Sequence, residues 1–148
     1  MNKKIFALLI IFIATVSVVS VFASEELVSH DFGDFKMNIP NAQGDIPTKQ
    51  GHSNQTIYAV PNADDTTFAF VEYWDTSNTG GNNNTTQVVL DKVKENFTVK
   101  TDGDIPSWDT ETAGENGYLV SSDDDTQVLV ITSSDIRIQQ ALGSIEFK

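Results

Sequence analysis

Histidine is the side chain best suited to acid–base catalysis near neutral pH, and this sequence contains two, His30 and His52. Both lie in polar stretches of the chain, so we interpret them as solvent-exposed surface residues. The chain has no cysteine, which excludes a thiol nucleophile, a thiolate metal cluster and a disulfide framework. It also lacks the G-x-S-x-G, H-E-x-x-H, P-loop and dinucleotide-binding motifs. We therefore predict a domain with no catalytic residues and no bound cofactor.

Acidic side chains are abundant and could serve as paired catalytic carboxylates or as oxygen ligands for calcium. The densest groups are Asp102 with Asp104, and the three aspartates at residues 123–125. The stretch 109–120 begins like an EF-hand loop but departs from that pattern at Ala113. We interpret these acids as turn formers, whose side chains hydrogen-bond to nearby backbone groups, and predict no metal site. A carboxylate-pair hydrolase and a calcium-stabilised adhesive domain are the two alternatives.

Two further sets of residues could interact with carbohydrate. Four N-x-S/T sequons, which can accept N-linked sugars in an exported protein, occur at Asn54, Asn83, Asn84 and Asn96. A chain this rich in Asn, Ser and Thr also produces sequons by chance, so their occupancy stays open. The aromatic residues that could stack on sugars are Tyr58, Tyr73, Trp74, Trp108 and Tyr118. In strands such residues pack as core or cross-strand pairs, and the loop-edge positions of Trp74 and Trp108 make them the two to test.

The first 23 residues predict an export signal. Lys3 and Lys4 precede an apolar stretch over residues 5–23, and Val21 with Ala23 form a site that signal peptidase accepts. We predict cleavage after Ala23 and a single exported domain over residues 24–148, located in the extracellular space. The alternative is an uncleaved membrane anchor with the domain facing outward. The apolar stretch is almost as long as a membrane-spanning helix, which needs about 20 residues.

The charge balance restricts the partners of the exported part. The chain carries 21 Asp and Glu against 9 Lys and Arg, a formal net charge of −12. An acidic surface repels phosphate groups, which excludes nucleic acid as a partner. The expected partner is an extracellular protein or a cell-surface component, and the membrane itself is involved only if the N-terminal segment is uncleaved.

Hydrophobic alternation and turn residues predict the elements that must position these groups. The strongest strand is TTFAFVEYW, which we expect to be buried on both sides. We predict strands at residues 32–40, 56–60, 66–74, 97–100, 110–113, 118–121, 128–131 and 144–147, and helices from Asn84 or Thr85 to about Asn96 and from Ser133 or Ser134 to Leu142. The expected fold class is α+β, a mostly antiparallel β-sheet of seven or eight strands with two helices packed on it.

An internal similarity suggests a duplicated unit. The tetrapeptide GDIP occurs at residues 44–47 and again at 103–106. At an offset of 60, residues Tyr58, Val60, Asp64, Asp65, Thr66 and Asp75 match Tyr118, Val120, Asp124, Asp125, Thr126 and Asp135. Two related β-β-α units sharing one sheet would produce this pattern, and so would chance in a chain rich in Asp and Thr.

The phrases FKMNIP, TTFAFVEYW and ALGSIEF, in this order and over residues 32–148, resemble the PsbP-like sandwich domains. The resemblance implies an antiparallel sheet flanked by helices and a non-enzymatic role in assisting or binding larger assemblies. The chain lacks the cysteine of the lipid-anchored members, and no functional residue is carried over. Sequence and resemblance together predict an exported, non-catalytic binding or accessory domain that acts outside the cytoplasmic membrane.

Overall fold

The computed structural model describes residues 26–40, 45–51 and 55–148, so the predicted export signal lies outside the described residues. The described part contains nine strands, two α-helices and one 3₁₀-helix at Thr76–Thr79. The strands and α-helices are β1 (Leu27–Asp31), β2 (Phe35–Pro40), β3 (Thr48–Gln50), β4 (Thr56–Pro61), β5 (Thr67–Trp74), α1 (Thr85–Lys94), β6 (Ser107–Asp109), β7 (Asn116–Ser121), β8 (Val128–Ser133), α2 (Ile138–Leu142) and β9 (Glu146–Phe147).

Two antiparallel sheets organise these strands. The larger has the order β3-β4-β5-β8-β7-β6, and the smaller has the order β1-β2-β9. Strand β5 lies at the centre of the larger sheet, where Val71 faces Ile131 of β8. Its aromatic and β-branched residues suit a strand that is buried on both faces. The predicted α+β class, with a mostly antiparallel sheet and two helices, is confirmed.

Each face of the larger sheet packs against a different layer. Val71 and Tyr73 of β5 face the smaller sheet and α2, whereas Phe70 and Trp74 face α1. The first core contains Phe35, Met37, Ile39, Val71, Leu129, Ile131, Ile138, Ala141 and Leu142. The second contains Ile57, Phe70, Trp74, Val89, Val93, Trp108, Leu119, Val128 and Val130.

Several predicted bounds were wrong. Seven or eight strands were expected, and the described residues form nine, because the short strands β1 and β3, which are held by cross-strand pairing, were not predicted. The final strand, predicted at residues 144–147, is present as the shorter β9. The strand predicted at residues 97–100 is a single bridge from Lys100 to Ser107. The strand predicted at 110–113 is a turn instead, in which Thr112 N–H bonds to the Thr110 hydroxyl. The strand of that hairpin is β6, which includes Trp108.

The predicted helix ends were also displaced. Helix α1 ends at Lys94 because the backbone N–H groups of Asn96 and Phe97 turn back to the carbonyl of Val93. Helix α2 begins at Ile138, after Arg137, and the Ser133 hydroxyl instead donates to the carbonyl of Phe68 in β5.

The two halves of the larger sheet correspond in detail. Strands β4 and β7 begin and end 60 residues apart, at Thr56–Pro61 and Asn116–Ser121. The turns that follow them match: the Asp64 carboxylate accepts from Thr66 N–H at 3.1 Å, and the Asp124 carboxylate accepts from Thr126 N–H at 3.1 Å. The next residues, Asp65 and Asp125, both adopt left-handed backbone angles, with φ of 69° and 63°. The helices break this correspondence, since α1 and α2 lie on opposite faces.

Candidate functional site

A short loop between β8 and α2, residues 134–137, is held by an unusually dense set of contacts; we call it the Ile136 loop. The Asp135 carboxylate accepts from the backbone N–H of Arg137 at 2.9 Å and from its guanidinium at 2.9 and 2.8 Å. Both side chains are largely buried, at 16% and 15% exposure. The Arg137 guanidinium also donates to the side chain of Asn62 at 2.6 Å and lies 5.3 Å from the ring centre of Phe68. These contacts fix the loop against the turn at residues 62–66.

The ion pair within this loop stays charged over a wide pH range. Burial acts to raise the pKa of Asp135, but the hydrogen bonds and charge of Arg137 outweigh it, so the pKa lies below its ordinary value. The Asp135–Arg137 ion pair therefore keeps the Ile136 loop in the same geometry at neutral and mildly acidic pH.

Ile136 stands between these two residues and is 95% exposed. Among the described residues, the other large apolar side chain classed as exposed is Val28, at 40%. The neighbouring turn carries exposed carboxylates at Asp64 and Asp65. An aliphatic side chain thus projects into water from a rigid backbone, beside acidic groups. Covering such a side chain is favourable by roughly 2 kcal/mol.

A second unusual feature is a carboxyl group buried in a central strand of the larger sheet. Glu72 of β5 is 2% exposed, and the side-chain amide of Gln55 donates to it. Burial raises the pKa of Glu72 from 4.5 to about 7, and the hydrogen bond from Gln55 only partly opposes this. Burial also raises the pKa of Glu115, which accepts a hydrogen bond from the Thr110 hydroxyl. The two carboxyl groups occupy separate positions, each with its own donor.

The residues singled out from the sequence are dispersed. His30 is exposed on β1, and His52 lies outside the described residues. Asp102 and Asp104 are exposed. Asp124 forms a turn as predicted, and hydrogen bonds from Thr126 and Ser122 lower its pKa. Among the residues that the structure describes, no three His, Asp or Glu side chains converge as metal ligands would.

Four of the five aromatic residues that could stack on sugars belong to the interior. Trp74, Trp108, Tyr73 and Tyr118 are all buried, at no more than 8% exposure. Tyr58 is half-buried against Phe32 and Phe35. The alternative interpretation of these residues as core is therefore the correct one for the four buried rings.

Trp108 packs across a glycine on the neighbouring strand. It faces Gly117 of β7, and a Cβ atom at residue 117 would lie 2.2 Å from the Trp108 ring. Glycine is thus the residue that leaves room for this indole.

Ile136 and Glu72 were not predicted as site residues, although the sequence around each carries a local signal. Ile136 is out of phase with the buried Ile138 and Leu142 of α2. Glu72 is a lone acid in the most hydrophobic strand of the sheet. A sequence pattern does not show the long-range contacts that leave Ile136 exposed and Glu72 buried.

Comparison with known proteins yields no relatives: no protein-family model, curated protein or solved structure matches the chain. Within the described ranges, no helix is long and apolar enough to cross a membrane.

Proposed function

We propose that this chain is an exported, non-catalytic binding or accessory domain that acts outside the cytoplasmic membrane on an extracellular protein or cell-surface component. The observation that carries the proposal is the presentation of Ile136, 95% exposed, on a loop fixed by Asp135, Arg137 and Asn62. The fold presents this side chain to solvent on a loop that these contacts hold in place. A partner that covers it is the simplest reason for such an arrangement.

Rigidity is what makes Ile136 an efficient anchor. Binding through a mobile side chain or loop costs conformational entropy, and a fixed backbone avoids most of that cost. A few well-placed residues supply most of the affinity of an interface. The carboxylates of Asp64 and Asp65 lie on the adjoining turn, which favours a partner with an apolar pocket bordered by basic groups.

The test compares two apolar-to-polar substitutions. Fluorescently labelled mature protein is titrated onto washed cells of its own host, using the wild type, Ile136→Ser and Val28→Ser. Because Ile136 contributes roughly 2 kcal/mol on burial, we expect Ile136→Ser to raise the Kd at least about tenfold, with Val28→Ser unchanged. Equal Kd values for the two variants, or no saturable binding of the wild type, would contradict the proposal. Thermal unfolding of each variant checks that the fold is intact.

Export is tested by the intact mass of the native protein, taken separately from the culture medium and from washed membranes. A species in the medium that begins at Ser24 supports a secreted domain. A full-length species found only in membranes supports instead an anchor over residues 5–23, with the domain facing outward.

We also propose that the larger sheet is built from two related units, β3-β4-β5 and β6-β7-β8. The support is the offset of 60 between β4 and β7, the matching Asp–Thr turns and the matching side-chain bonds of Asp75 and Asp135, each of which accepts from the backbone N–H two residues on. In this correspondence Ile136 is equivalent to Thr76. The exposed apolar side chain therefore occurs in one of the two proposed units and is replaced by a polar one in the other. One partner-binding position in the domain agrees with this difference.

We likewise propose that the domain is related to the PsbP-like sandwich domains. It is supported by an antiparallel sheet covered by α1 on one face and by α2 on the other. A binding role agrees with what that resemblance implies.

A further inference from the structure

The structure distinguishes sharply between the sequons. Asn54 lies outside the described residues, which leaves Asn83, Asn84 and Asn96. Both side-chain amide atoms of Asn96 are buried and have no hydrogen-bond partner in the described part of the chain. A sugar attached to the Asn96 nitrogen would overlap with the residues that bury it. The folded domain therefore cannot accommodate a sugar there without rearrangement.

Asn84 presents the opposite arrangement. It is exposed and caps α1, with its side-chain carbonyl accepting from the backbone N–H of Gln87 at 3.0 Å. Because the oxygen of this amide points into the helix, its nitrogen points away from it. A secondary amide keeps the same oxygen, so a sugar on the nitrogen leaves the cap intact.

Asn83 and Asn84 differ in the exposure of the threonine hydroxyl that completes each sequon. The sequon of Asn83 uses Thr85, which is fully buried at 0% exposure. The sequon of Asn84 uses Thr86, which is partly exposed and donates to Asp125 at 2.7 Å. In the folded domain, both the acceptor nitrogen and the hydroxyl can be reached only at Asn84 among these three sequons.

We infer that Asn84 carries an N-linked sugar in the exported protein and that Asn96 does not; this rests on the proposed export. The sugar comes from a lipid-linked glycosyl phosphate or diphosphate donor and is moved by a transferase of the host. The bond from sugar C1 to the phosphate oxygen breaks, and the bond from C1 to Asn84 Nδ2 forms. The lipid phosphate departs with the electron pair, and one amide proton passes to a base of the transferase.

The position of Asn84 gives the modification a consequence for binding. Thr86, two residues on, contacts Asp125 in the turn before β8, whereas Ile136 follows the other end of β8. The six residues of β8 separate these ends by about 20 Å. A sugar on Asn84 therefore covers the end of the sheet that is opposite the Ile136 loop and leaves the proposed anchor open.

The test is the intact mass and glycopeptide map of protein secreted by its own host, for the wild type and three variants. Asn84→Asp removes this acceptor but keeps a capping oxygen and the Asn83 sequon. Asn83→Gln and Thr98→Ala remove the other two described sequons. We expect the added sugar mass on the wild type, Asn83→Gln and Thr98→Ala, and its loss in Asn84→Asp.

Sugar loss in Asn83→Gln or Thr98→Ala, or a wild type in the medium with the mass of the bare chain, would overturn the assignment. Unprocessed protein retained inside the cell would instead refute export, so the two failures are distinguishable. Thermal unfolding of Asn84→Asp should match that of the wild type. The missing sugar mass then reflects the loss of the acceptor and not misfolding of the variant.

Discussion

At the scale of single residues, the contact between Trp108 and Gly117 sets the tightest steric limit described here. An added methyl group at residue 117 would lie 2.2 Å from the indole, so Gly117→Ala must displace Trp108 from the core. We expect a loss of about 3 kcal/mol in the free energy of unfolding. Urea denaturation followed by tryptophan fluorescence measures this, because both tryptophans are buried.

The matched control is Gly143→Ala. Gly143 has φ of −69°, and its added Cβ would make ordinary contacts at 3.7 Å. Since alanine fits there and restricts the unfolded chain, we expect a change within about 1 kcal/mol, in the stabilising direction. Equal losses for the two variants would show that the indole does not press on Gly117.

Glu72 predicts an unusual dependence of stability on pH. Its pKa is 4.5 when exposed and about 7 in the fold, so the folded state prefers the protonated form. That preference stabilises the domain below pH 4.5 and is lost as the pH rises towards 7, a change of roughly 3 kcal/mol at most. We expect the unfolding free energy to fall over this interval, and the fall to be smaller in Glu72→Gln.

Other carboxylates change stability at lower pH or add to the same trend. Hydrogen bonds lower the pKa of Asp64 and Asp124, whose stabilising effect is lost only as the pH falls below about 4. Glu115 has a raised pKa and accounts for a remaining slope. Urea titrations at pH 4.5, 5.5 and 7 test this, and identical slopes for the wild type and Glu72→Gln would refute it.

At the scale of elements, the two Asp–Thr turns allow one substitution to be compared in two places. Asp65 and Asp125 share a left-handed backbone that glycine adopts without cost, but Asp125 also accepts a hydrogen bond from Thr86 of α1. We expect Asp65→Gly to leave stability unchanged or to raise it by up to about 1 kcal/mol. Asp125→Gly should be about 1 kcal/mol less stable than Asp65→Gly, because it removes the hydrogen bond between the Asp125 carboxylate and the Thr86 hydroxyl.

A double-mutant cycle with Thr86→Val isolates that contact. In the Thr86→Val background the difference between the two glycine variants should disappear. A difference that persists there would assign the effect to the turn itself rather than to the docking of α1.

The sequence predicts the central elements well because their signals are local. The alternating aromatic and β-branched residues of Thr67–Trp74 predict a buried strand from a window of eight residues. The edge strands β1 and β3 carry no such signal. Most of β1 is exposed, and so are all three residues of β3. Their existence depends on tertiary contacts that no short window contains.

The same distinction applies to the candidate site. Asp135 and Arg137 are neighbours in sequence, so their ion pair could be anticipated. The exposure of Ile136 also requires Asn62, which lies 75 residues from Arg137. The burial of Glu72 likewise brings its carboxyl group against Gln55, which lies 17 residues away. A sequence pattern gives the residue types, whereas these environments arise only when distant segments meet.

At the scale of the whole molecule, the formal net charge of −12 opposes folding through mutual repulsion. The exposed ion pairs Lys100–Asp109 and Lys148–Asp31 contribute little to stability. Since salt screens the repulsion more than it weakens these pairs, we expect added NaCl to raise the Tm, by a few degrees between low salt and about 0.5 M. A Tm that falls with NaCl, measured by circular dichroism, would show that attractive pairs dominate instead.

The smaller sheet determines the order in which an emerging chain can complete its fold. Strand β2 lies between β1, which precedes it directly, and β9, and Lys148 bonds both to the side chain of Asp31 and to the carbonyl of Asp34. As the chain is synthesised, the hairpins β4-β5 and β7-β8 can close when they emerge, but Phe35 gains its cross-strand partner Phe147 only when β9 is available. Closing that interval of more than 100 residues is the slow step in assembly. The domain therefore stays incompletely folded until β9 pairs with β2.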